Sequence, residues 1–373
     1  MKRELAETLL TKIMGWSDAE KAEERALLES FASYKYDEYQ QFAPGRRFLE
    51  SLALWLQQFE TKGERDIAYS FVKERLIFVS NAEINSLVGL AFPTFVRPKL
   101  IADTAEGHSA LEAHRVKSIV KCKEYRAKLR KTLFLGLSDG ARTDQFRRAQ
   151  PQDITHEQVF HAYDMSSPKA KGFTEKLQKD LSTISGAEVP EDQAKFEYVV
   201  LLDDFTASGT SYLREGKNGD WDGKIAKIIR ELDSDELLGS LVAQSGVSVL
   251  VVIYIAAEQA IEHIEKHLEQ LPFSKGSIEF KVVHRLNSGV KLVPPTDDGI
   301  LSLADQDRYF DPDADDEHSK VGGTSKRFGY AGCKLPVVLA HNTPNNSIFL
   351  LWAEDVHRVR GLFPRVSRHR KFE

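Results

Sequence analysis

The sequence predicts an α/β protein with a parallel-sheet core and an N-terminal helical domain. Between residues 196 and 283, apolar runs of strand length alternate with helical stretches, which is the pattern of strand–helix–strand units in a parallel sheet. The first of these runs, residues 196–202, ends in two adjacent carboxylates, Asp203 and Asp204. Residues 1–108 instead place their apolar side chains at helical spacing.

Length, composition and charge limit the classes to which the protein can belong. A chain of 373 residues is long enough for about two or three domains, and 42% hydrophobic with 29% charged residues is ordinary for a globular protein. The net charge of −5 offers no overall attraction to nucleic acid. Cys122 and Cys333 are the only cysteines, so neither a disulfide framework nor a cysteine-based zinc site is expected. No apolar run approaches the about 18 residues of a membrane helix, and the start lacks a signal-peptide core, so we expect no membrane partner and a cytoplasmic location.

The first predicted domain, residues 1–108, is a helical accessory domain. Apolar side chains recur at helical spacing over residues 5–13 and again over 48–59. The helical pattern continues to residue 90, with a short apolar stretch at 76–79. Helix, helix, strand and helix in this order also fit a winged-helix-like unit. An accessory or docking role is favoured because no helix here has a concentrated basic face.

The second predicted domain, residues 109–290, is the core, and a basic stretch leads into it. Residues 108–130 have the pattern of one long helix. The basic side chains of its second half and of the residue after it are Lys117, Lys121, Lys123, Arg126, Lys128, Arg130 and Lys131. Such a stretch is either a solvated face or a contact for RNA or DNA.

The C-terminal tail is also basic; it contains Arg358, Arg360, Arg365, Arg368, Arg370 and Lys371. This tail is either a solvated terminus or a contact for nucleic acid or for the acidic face of a partner.

The first core strand is predicted over residues 132–137, and a short polar loop follows it. This loop contains Ser138, Asp139, Gly140 and Arg142. Gly140 permits a strained turn, and the Arg142 guanidinium can bind a phosphate group with two parallel hydrogen bonds.

Residues 199–211 combine the features of a sugar-phosphate site. Asp203 and Asp204 can accept charge-assisted hydrogen bonds from vicinal ribose hydroxyls, each contributing roughly 1.5–3 kcal/mol. The loop that follows has no large side chain, so its backbone N–H groups can close around an anion; it consists of Thr206, Ala207, Ser208, Gly209, Thr210 and Ser211. It is not a Walker loop, because no Gly-Lys-Ser/Thr follows a four-residue spacer. It also lacks the three spaced glycines of the dinucleotide fingerprint.

These contiguous residues, 199–211, resemble the signature with which type I phosphoribosyltransferases bind phosphoribosyl pyrophosphate (PRPP). The resemblance implies a phosphoribosyltransferase-like, Rossmann-like core. It implies that Asp203 and Asp204 bind the ribose hydroxyls and that residues 206–211 bind the 5′-phosphate. The implied cofactor is Mg²⁺, which would be held through substrate oxygens near the acid pair, so no dense set of protein ligands is expected.

The resemblance also gives meaning to the loop after the first core strand and to Ala207. Ser138, Asp139 and Gly140 stand in the order of the family's pyrophosphate loop, and Arg142 would neutralise the departing pyrophosphate. An ordinary loop is the alternative. Purine-salvage members have an acid where this chain has Ala207, and alanine cannot act as a general acid or base. The chain therefore resembles more closely the members that leave this position uncharged, such as the orotate enzymes.

After the signature, the sequence completes the predicted parallel sheet. It predicts a helix over residues 221–238, a strand over 246–255, a helix over 258–271 and a strand over 278–283.

The third predicted domain, residues 291–373, is a C-terminal hood or lid segment with a basic tail. Two apolar strands within residues 335–352 flank a Thr-Pro-Asn-Asn turn. This block, with residues 362–365, resembles the phosphoribosyltransferase-like proteins of bacterial conflict and anti-phage loci, some of them near retron-type reverse transcriptases. The resemblance implies an acceptor pocket that includes Asn342 and Asn345, with turn-forming asparagines as the alternative.

The sequence thus predicts a Mg²⁺- and PRPP-dependent phosphoribosyltransferase-like enzyme of bacterial defence, with Asp203, Asp204 and Arg142 at its catalytic centre. A module that senses PRPP or a related nucleotide without turnover is one alternative, and a subunit of a nucleoprotein defence complex is another. The expected partners are PRPP or a related ribose phosphate, and a defence-system protein, RNA or DNA at the basic segments. The sequence leaves the acceptor and the oligomeric state open.

Overall fold

A computed structural model of the chain describes residues 3–107, 112–162, 166–216 and 218–366. Its helices are α1 (Arg3–Met14), α2 (Asp18–Tyr34), α3 (Phe48–Gln57), α4 (Lys62–Glu74), α5 (Asn81–Ala91), α6 (Arg97–Glu106), α7 (Val116–Ile119), α8 (Lys123–Arg130), α9 (Thr143–Ala149), α10 (Ser167–Ser185), α11 (Lys224–Asp233), α12 (Leu238–Leu241), α13 (Glu258–Leu268), α14 (Asp298–Asp305), α15 (Glu317–Gly322) and α16 (Phe349–Trp352). Its strands are β1 (Ile77–Val79), β2 (Thr132–Gly136), β3 (Val159–His161), β4 (Tyr198–Thr206), β5 (Arg214–Glu215), β6 (Trp221–Asp222), β7 (Val247–Ala257), β8 (Gly276–Leu286) and β9 (Val337–Leu339). Met1–Glu83 and Asn287–Glu373 form one compact unit, and Ile84–Leu286 forms a second.

A five-stranded parallel sheet lies at the centre of the second unit. Its strand order is β3–β2–β4–β7–β8, so β4 is the central strand. Leu201 of β4 pairs with Leu135 of β2 on one side and with Val251 of β7 on the other. β4 and β7 are rich in Val, Ile and Leu and almost entirely buried, as a parallel sheet covered by helices requires. The predicted α/β fold with a parallel, Rossmann-like core is confirmed.

Helices cover both faces of this sheet. Successive side chains of a strand point to opposite sides, so the apolar strands present apolar side chains on both faces. On one face, Leu201 shares an apolar core with Ile225 of α11 and Ile261 of α13. On the other face, the rings of Phe134 and Phe146 of α9 pack with their centroids 5.0 Å apart.

The parallel arrangement brings two distant loops to one edge of the sheet. β2 and β4 are parallel neighbours, so the loops that follow them leave the sheet at the same end. Open α/β sheets bind their ligands at this end. Ser138, which follows β2, therefore contacts Asp203 of β4 although 65 positions separate them in the chain.

The first unit is mostly helical, and it joins the early and late parts of the chain in one core. β1 pairs in parallel with β9, with Phe78 opposite Val338. The buried Phe363 packs its ring against those of five other aromatic residues, namely Tyr36, Tyr39, Phe42, Phe48 and Phe78. In α3, the indole N–H of Trp55 donates to the Leu350 carbonyl at 2.8 Å. Segments 3–83 and 287–366 are thus two parts of a single folded unit.

The boundaries of the compact units differ from those predicted at residues 108 and 290, because the C-terminal residues complete the core of the N-terminal helices. Among residues 3–107, the one described strand is β1, whose partner is β9 rather than a neighbouring strand of a winged-helix hairpin. None of the helices in the described ranges is long and apolar enough to span a membrane.

Three predicted elements are wrong in type or extent. The described part of 108–130 forms two helices, α7 and α8, with Cys122 capping the second by accepting from the Tyr125 N–H. The helix predicted over 221–238 shortens to α11, because an antiparallel pair, β5 and β6, precedes it. The second strand predicted within 335–352 is the helical turn α16. Apolar runs this short do not distinguish a strand from a buried helix.

Candidate functional site

The acid pair lies near the carboxyl end of the central strand, in two different environments. Asp203 and Asp204 are consecutive residues of β4, so their side chains point to opposite faces. Asp203 is completely buried, whereas Asp204 is partly exposed.

Both carboxylate oxygens of Asp203 accept hydrogen bonds. Oδ2 accepts from Lys224 Nζ at 2.6 Å and from the Tyr212 hydroxyl at 2.6 Å. Oδ1 accepts from Ser138 Oγ and from the backbone N–H of Asp204 at 3.2 Å. Burial raises the pKa of the Asp203 carboxyl and the Asp204 charge adds to the rise, whereas Lys224 and Ser138 oppose it. Asp203 therefore joins the loop after β2, the loop after β4 and the start of α11.

Lys224 and Tyr212 are site residues that the sequence analysis missed. Lys224 is the first residue of α11, and its Nζ lies 4.8 Å from the centroid of the Tyr212 ring. Its backbone N–H donates to the Ser211 carbonyl at 3.0 Å. Lys224 is 21 positions from Asp203, beyond a hairpin that was not predicted, so no local pattern pointed to it.

The loop of residues 206–211 is a tight turn in which several backbone N–H groups have no carbonyl acceptor among the described residues. Gly209 has a positive φ of 78°, and the hydroxyls of Ser208 and Thr210 lie 3.0 Å apart. Within the described residues, the backbone N–H groups of Ser208, Gly209 and Ser211 donate to no carbonyl. Successive unpaired N–H groups in a turn with a left-handed residue form the type of concavity that binds anions.

Helix α13 packs closely against this loop at Gly209. A Cβ at Gly209 would lie 2.9 Å from His263 Cδ2 and 3.1 Å from the Ala260 carbonyl oxygen, so only glycine fits this close approach. His263 Nε2 lies 2.8 Å from the Leu213 carbonyl oxygen, and burial lowers the pKa of His263.

The loop after β2 lies beside Asp204. A Cβ at Gly140 would overlap the Asp204 carboxylate, so the absence of a side chain there lets the two segments meet. Ser138 contacts Asp203, and Asp139 and Gly140 form a short helical turn that ends at Ala141.

Arg142 follows in the left-handed conformation, with φ 47° and ψ 44°, immediately before α9. Its Nη1 donates to Asn85 Oδ1 at 3.2 Å. The structure thus brings Ser138 and Gly140 into direct contact with the acid pair, and it places Asp139 and Arg142 in the same loop.

Tyr254 on β7 is a second polar group that sequence reasoning missed. It is fully buried, and its hydroxyl donates to the Ala141 carbonyl at 2.8 Å. Burial together with the charges of Asp203 and Asp204 raises the pKa of this phenol well above its usual value. Tyr254 is therefore a neutral donor that ties β7 to the loop after β2.

The two asparagines of the predicted acceptor pocket belong to the first unit. The backbones of Asn342 and Leu339 exchange two hydrogen bonds, of 3.0 and 3.1 Å, in a tight reversal after β9. The Asn345 carbonyl accepts from the Tyr330 N–H at 2.7 Å. These contacts belong to turns, and the acceptor pocket stays a prediction.

The parallel sheet, the acid pair at the end of its central strand and the glycine-containing loop beyond it together define the class of a phosphoribosyltransferase-like protein. A family model, PRTase-CE, matches residues 52–365 of the chain. The chain therefore belongs to the PRTase-CE family. Neither the comparison with curated proteins nor that with solved structures gave a match.

Proposed function

We propose that this protein binds PRPP with Mg²⁺ and transfers its phosphoribosyl group, acting as an effector of bacterial anti-phage defence. The defence role rests on the resemblance of its C-terminal block to the proteins of conflict and retron-associated loci. The binding role rests on one observation: a partly exposed carboxylate, Asp204, lies beside Gly140 and just before a loop whose Ser208 and Gly209 N–H groups donate to no described carbonyl.

Residues 206–211, here called the phosphate loop, would bind the 5′-phosphate through backbone N–H groups. The ribose hydroxyls would donate to Asp204. The electrostatic stabilisation by this carboxylate would grow as positive charge develops at the anomeric carbon. Arg142, with its guanidinium, would orient and neutralise the pyrophosphate. Catalysis on this scheme consists of positioning and electrostatic stabilisation.

The residues at this edge fit a Mg²⁺ ion that is carried by the substrate. No group of three or more His, Cys, Asp or Glu in the described ranges is placed to hold a metal ion. Mg²⁺ keeps several waters and needs only one or two carboxylates beside substrate phosphates. When bound, it would supply charge neutralisation to the departing pyrophosphate.

Calorimetric titration of PRPP with Mg²⁺ tests the proposal. We expect the wild type to bind and Asp204→Asn to bind at least roughly tenfold more weakly, a loss of about 1.4 kcal/mol. Glu231→Gln, at an exposed position of α11, is the control and should bind as the wild type does. Absence of binding by folded wild type would reject the proposal.

A sensor without turnover is the second candidate, and Ala207 is compatible with it. This residue is buried, with 1% of its surface exposed, and it has no group that could move a proton. Release of pyrophosphate from bound PRPP, tested over a panel of acceptors, separates the two candidates, since a sensor releases none.

A further inference from the structure

The site contains an ion pair with a buried carboxylate that the proposed function does not use. Lys224 Nζ and Asp203 Oδ2 lie 2.6 Å apart, and the lysine side chain is 28% exposed while that of Asp203 is fully buried. We infer that Asp203 and Lys224 are a positioning pair that holds the phosphate loop in place, and that Asp204 alone of the acid pair contacts the ribose. The identity of the ligand in this inference rests on the proposed function.

The first argument is the hydrogen-bonding capacity of Asp203. An ionised carboxylate has about four acceptor positions. Asp203 already accepts from Lys224, Tyr212, Ser138 and the Asp204 N–H. A ribose hydroxyl would have to displace one of these donors inside the protein, at a carboxylate with no exposed surface.

The second argument is how the pair connects to the phosphate loop. Lys224 binds Asp203 through its side chain and the Ser211 carbonyl through its backbone N–H. Tyr212 does the same, since its hydroxyl donates to Asp203 and its backbone N–H donates to the Gly209 carbonyl at 2.9 Å. Two residues that bind one carboxylate thus also hold the Gly209 and Ser211 carbonyls of the phosphate loop.

The third argument is electrostatic. A buried carboxylate without a counter-charge is strongly destabilising, so it takes up a proton instead. The titratable groups that face Asp203 are Asp204 on its own strand, Tyr212 on the loop, Lys224 on α11 and Tyr254 on β7. Of these, Lys224 is the cation, so it is the group that opposes protonation of Asp203 and strengthens the hydrogen bonds between them.

The experiment combines a double-mutant cycle with PRPP binding. The variants are Lys224→Met, Asp203→Asn and the double variant, all in the full chain. Lys227→Met is the matched control, because this lysine lies on the same helix with a 60% exposed side chain. Urea unfolding is measured at about pH 5 and about pH 8 without ligand, and PRPP with Mg²⁺ is then titrated into each folded variant.

We expect Lys224→Met to weaken PRPP binding at least tenfold and Lys227→Met to leave it unchanged. The stability lost in Lys224→Met should be larger at the higher pH, because the unpaired Asp203 then takes up a proton at greater cost. The double variant should lose less than the sum of the two single variants.

Additive losses that do not vary with pH would overturn the inference, since they would show two independent side chains. Coupled losses with wild-type PRPP affinity in Lys224→Met would overturn the positioning role and leave the proposed function standing. If the variants show coupled losses of stability but the wild type binds no PRPP, the proposed function is rejected and the pair is only a structural contact.

Discussion

At the scale of single residues, Asp203 and Asp204 show how surroundings decide the role of a side chain. The two are adjacent in β4, yet Asp203 is enclosed by donors while Asp204 is partly exposed beside Gly140. The same change, aspartate to asparagine, therefore has different consequences. At Asp203 it removes the counter-charge of the partly exposed Lys224, and at Asp204 it removes a charge at the surface where a ligand would enter.

Gly140→Ala tests the closeness of the loop after β2 to Asp204. Because the added Cβ would overlap the Asp204 carboxylate, we expect PRPP affinity to fall at least roughly tenfold, about 1.4 kcal/mol, in a calorimetric titration. Overpacking should also lower the free energy of unfolding, by about 1–3 kcal/mol.

The matched control for Gly140→Ala is Gly172→Ala in α10. A Cβ at Gly172 meets no atom within 4 Å, so this change should leave PRPP affinity intact and stabilise the helix by roughly 0.5–1 kcal/mol. Equal affinities of the two variants would place Gly140 outside the binding site.

At the scale of elements, the phosphate loop depends on α13 as well as on β4. His263 packs under Gly209, and burial lowers the pKa of its imidazole. A base whose pKa is lowered by folding binds protons more readily in the unfolded chain. The stability that depends on neutral His263 is therefore lost as the pH falls below the unfolded value of about 6.5.

We expect urea unfolding of the wild type to show this loss between about pH 7 and about pH 5, and His263→Gln to show a smaller one. The glutamine amide can still donate to the Leu213 carbonyl but does not titrate. His284→Gln, at an exposed position of β8, is the control and should keep the wild-type pH dependence. A His263→Gln curve parallel to that of the wild type would contradict this prediction.

The strands of the core were predictable from the sequence because each is a long apolar run. β4 and β7 were found for this reason, whereas the three-residue β3 was not, since so short an edge strand has no clear period. The hairpin of β5 and β6 was missed because each strand has only two residues. α16 was mistaken for a strand because four apolar residues fit either structure.

The candidate site was predictable where its residues are contiguous, and no further. The acid pair and residues 206–211 form one local pattern, and Ser138 and Gly140 follow from the order of the strands. Lys224 and Tyr254 reach the site from α11 and β7, so only the folded chain shows their contacts with Asp203 and Ala141. Sequence spacing has no information on such tertiary neighbours.

At the scale of the whole molecule, the described residues form two apolar cores. One belongs to the unit of residues 1–83 and 287–373, and the other to residues 84–286. All the described contacts of the acid pair lie in the second unit. Changes to the first core should therefore leave the acid pair's own hydrogen bonds intact.

Phe363→Ala tests this separation. Because Phe363 is fully buried among five aromatic rings, its truncation should cost about 3–5 kcal/mol in the stability of the first unit. Hydrogen exchange should accelerate in α3 and β1 and stay unchanged in β4 and β7. Val356→Ala, at a residue with 82% exposure, is the control and should alter neither. Faster exchange throughout β4 in Phe363→Ala would show that the two cores unfold together.

Because the first unit consists of two distant segments of the chain, it cannot complete its folding early in translation. Residues 3–83 leave the ribosome before residues 287–366, so Trp55 cannot reach its partner Leu350 until 295 further positions have been translated. The second unit, residues 84–286, is complete well before then. We expect the apolar faces of the nascent N-terminal helices to stay exposed during this time and to bind chaperones. A product of interrupted translation would contain the parallel sheet of the second unit but an incomplete first unit.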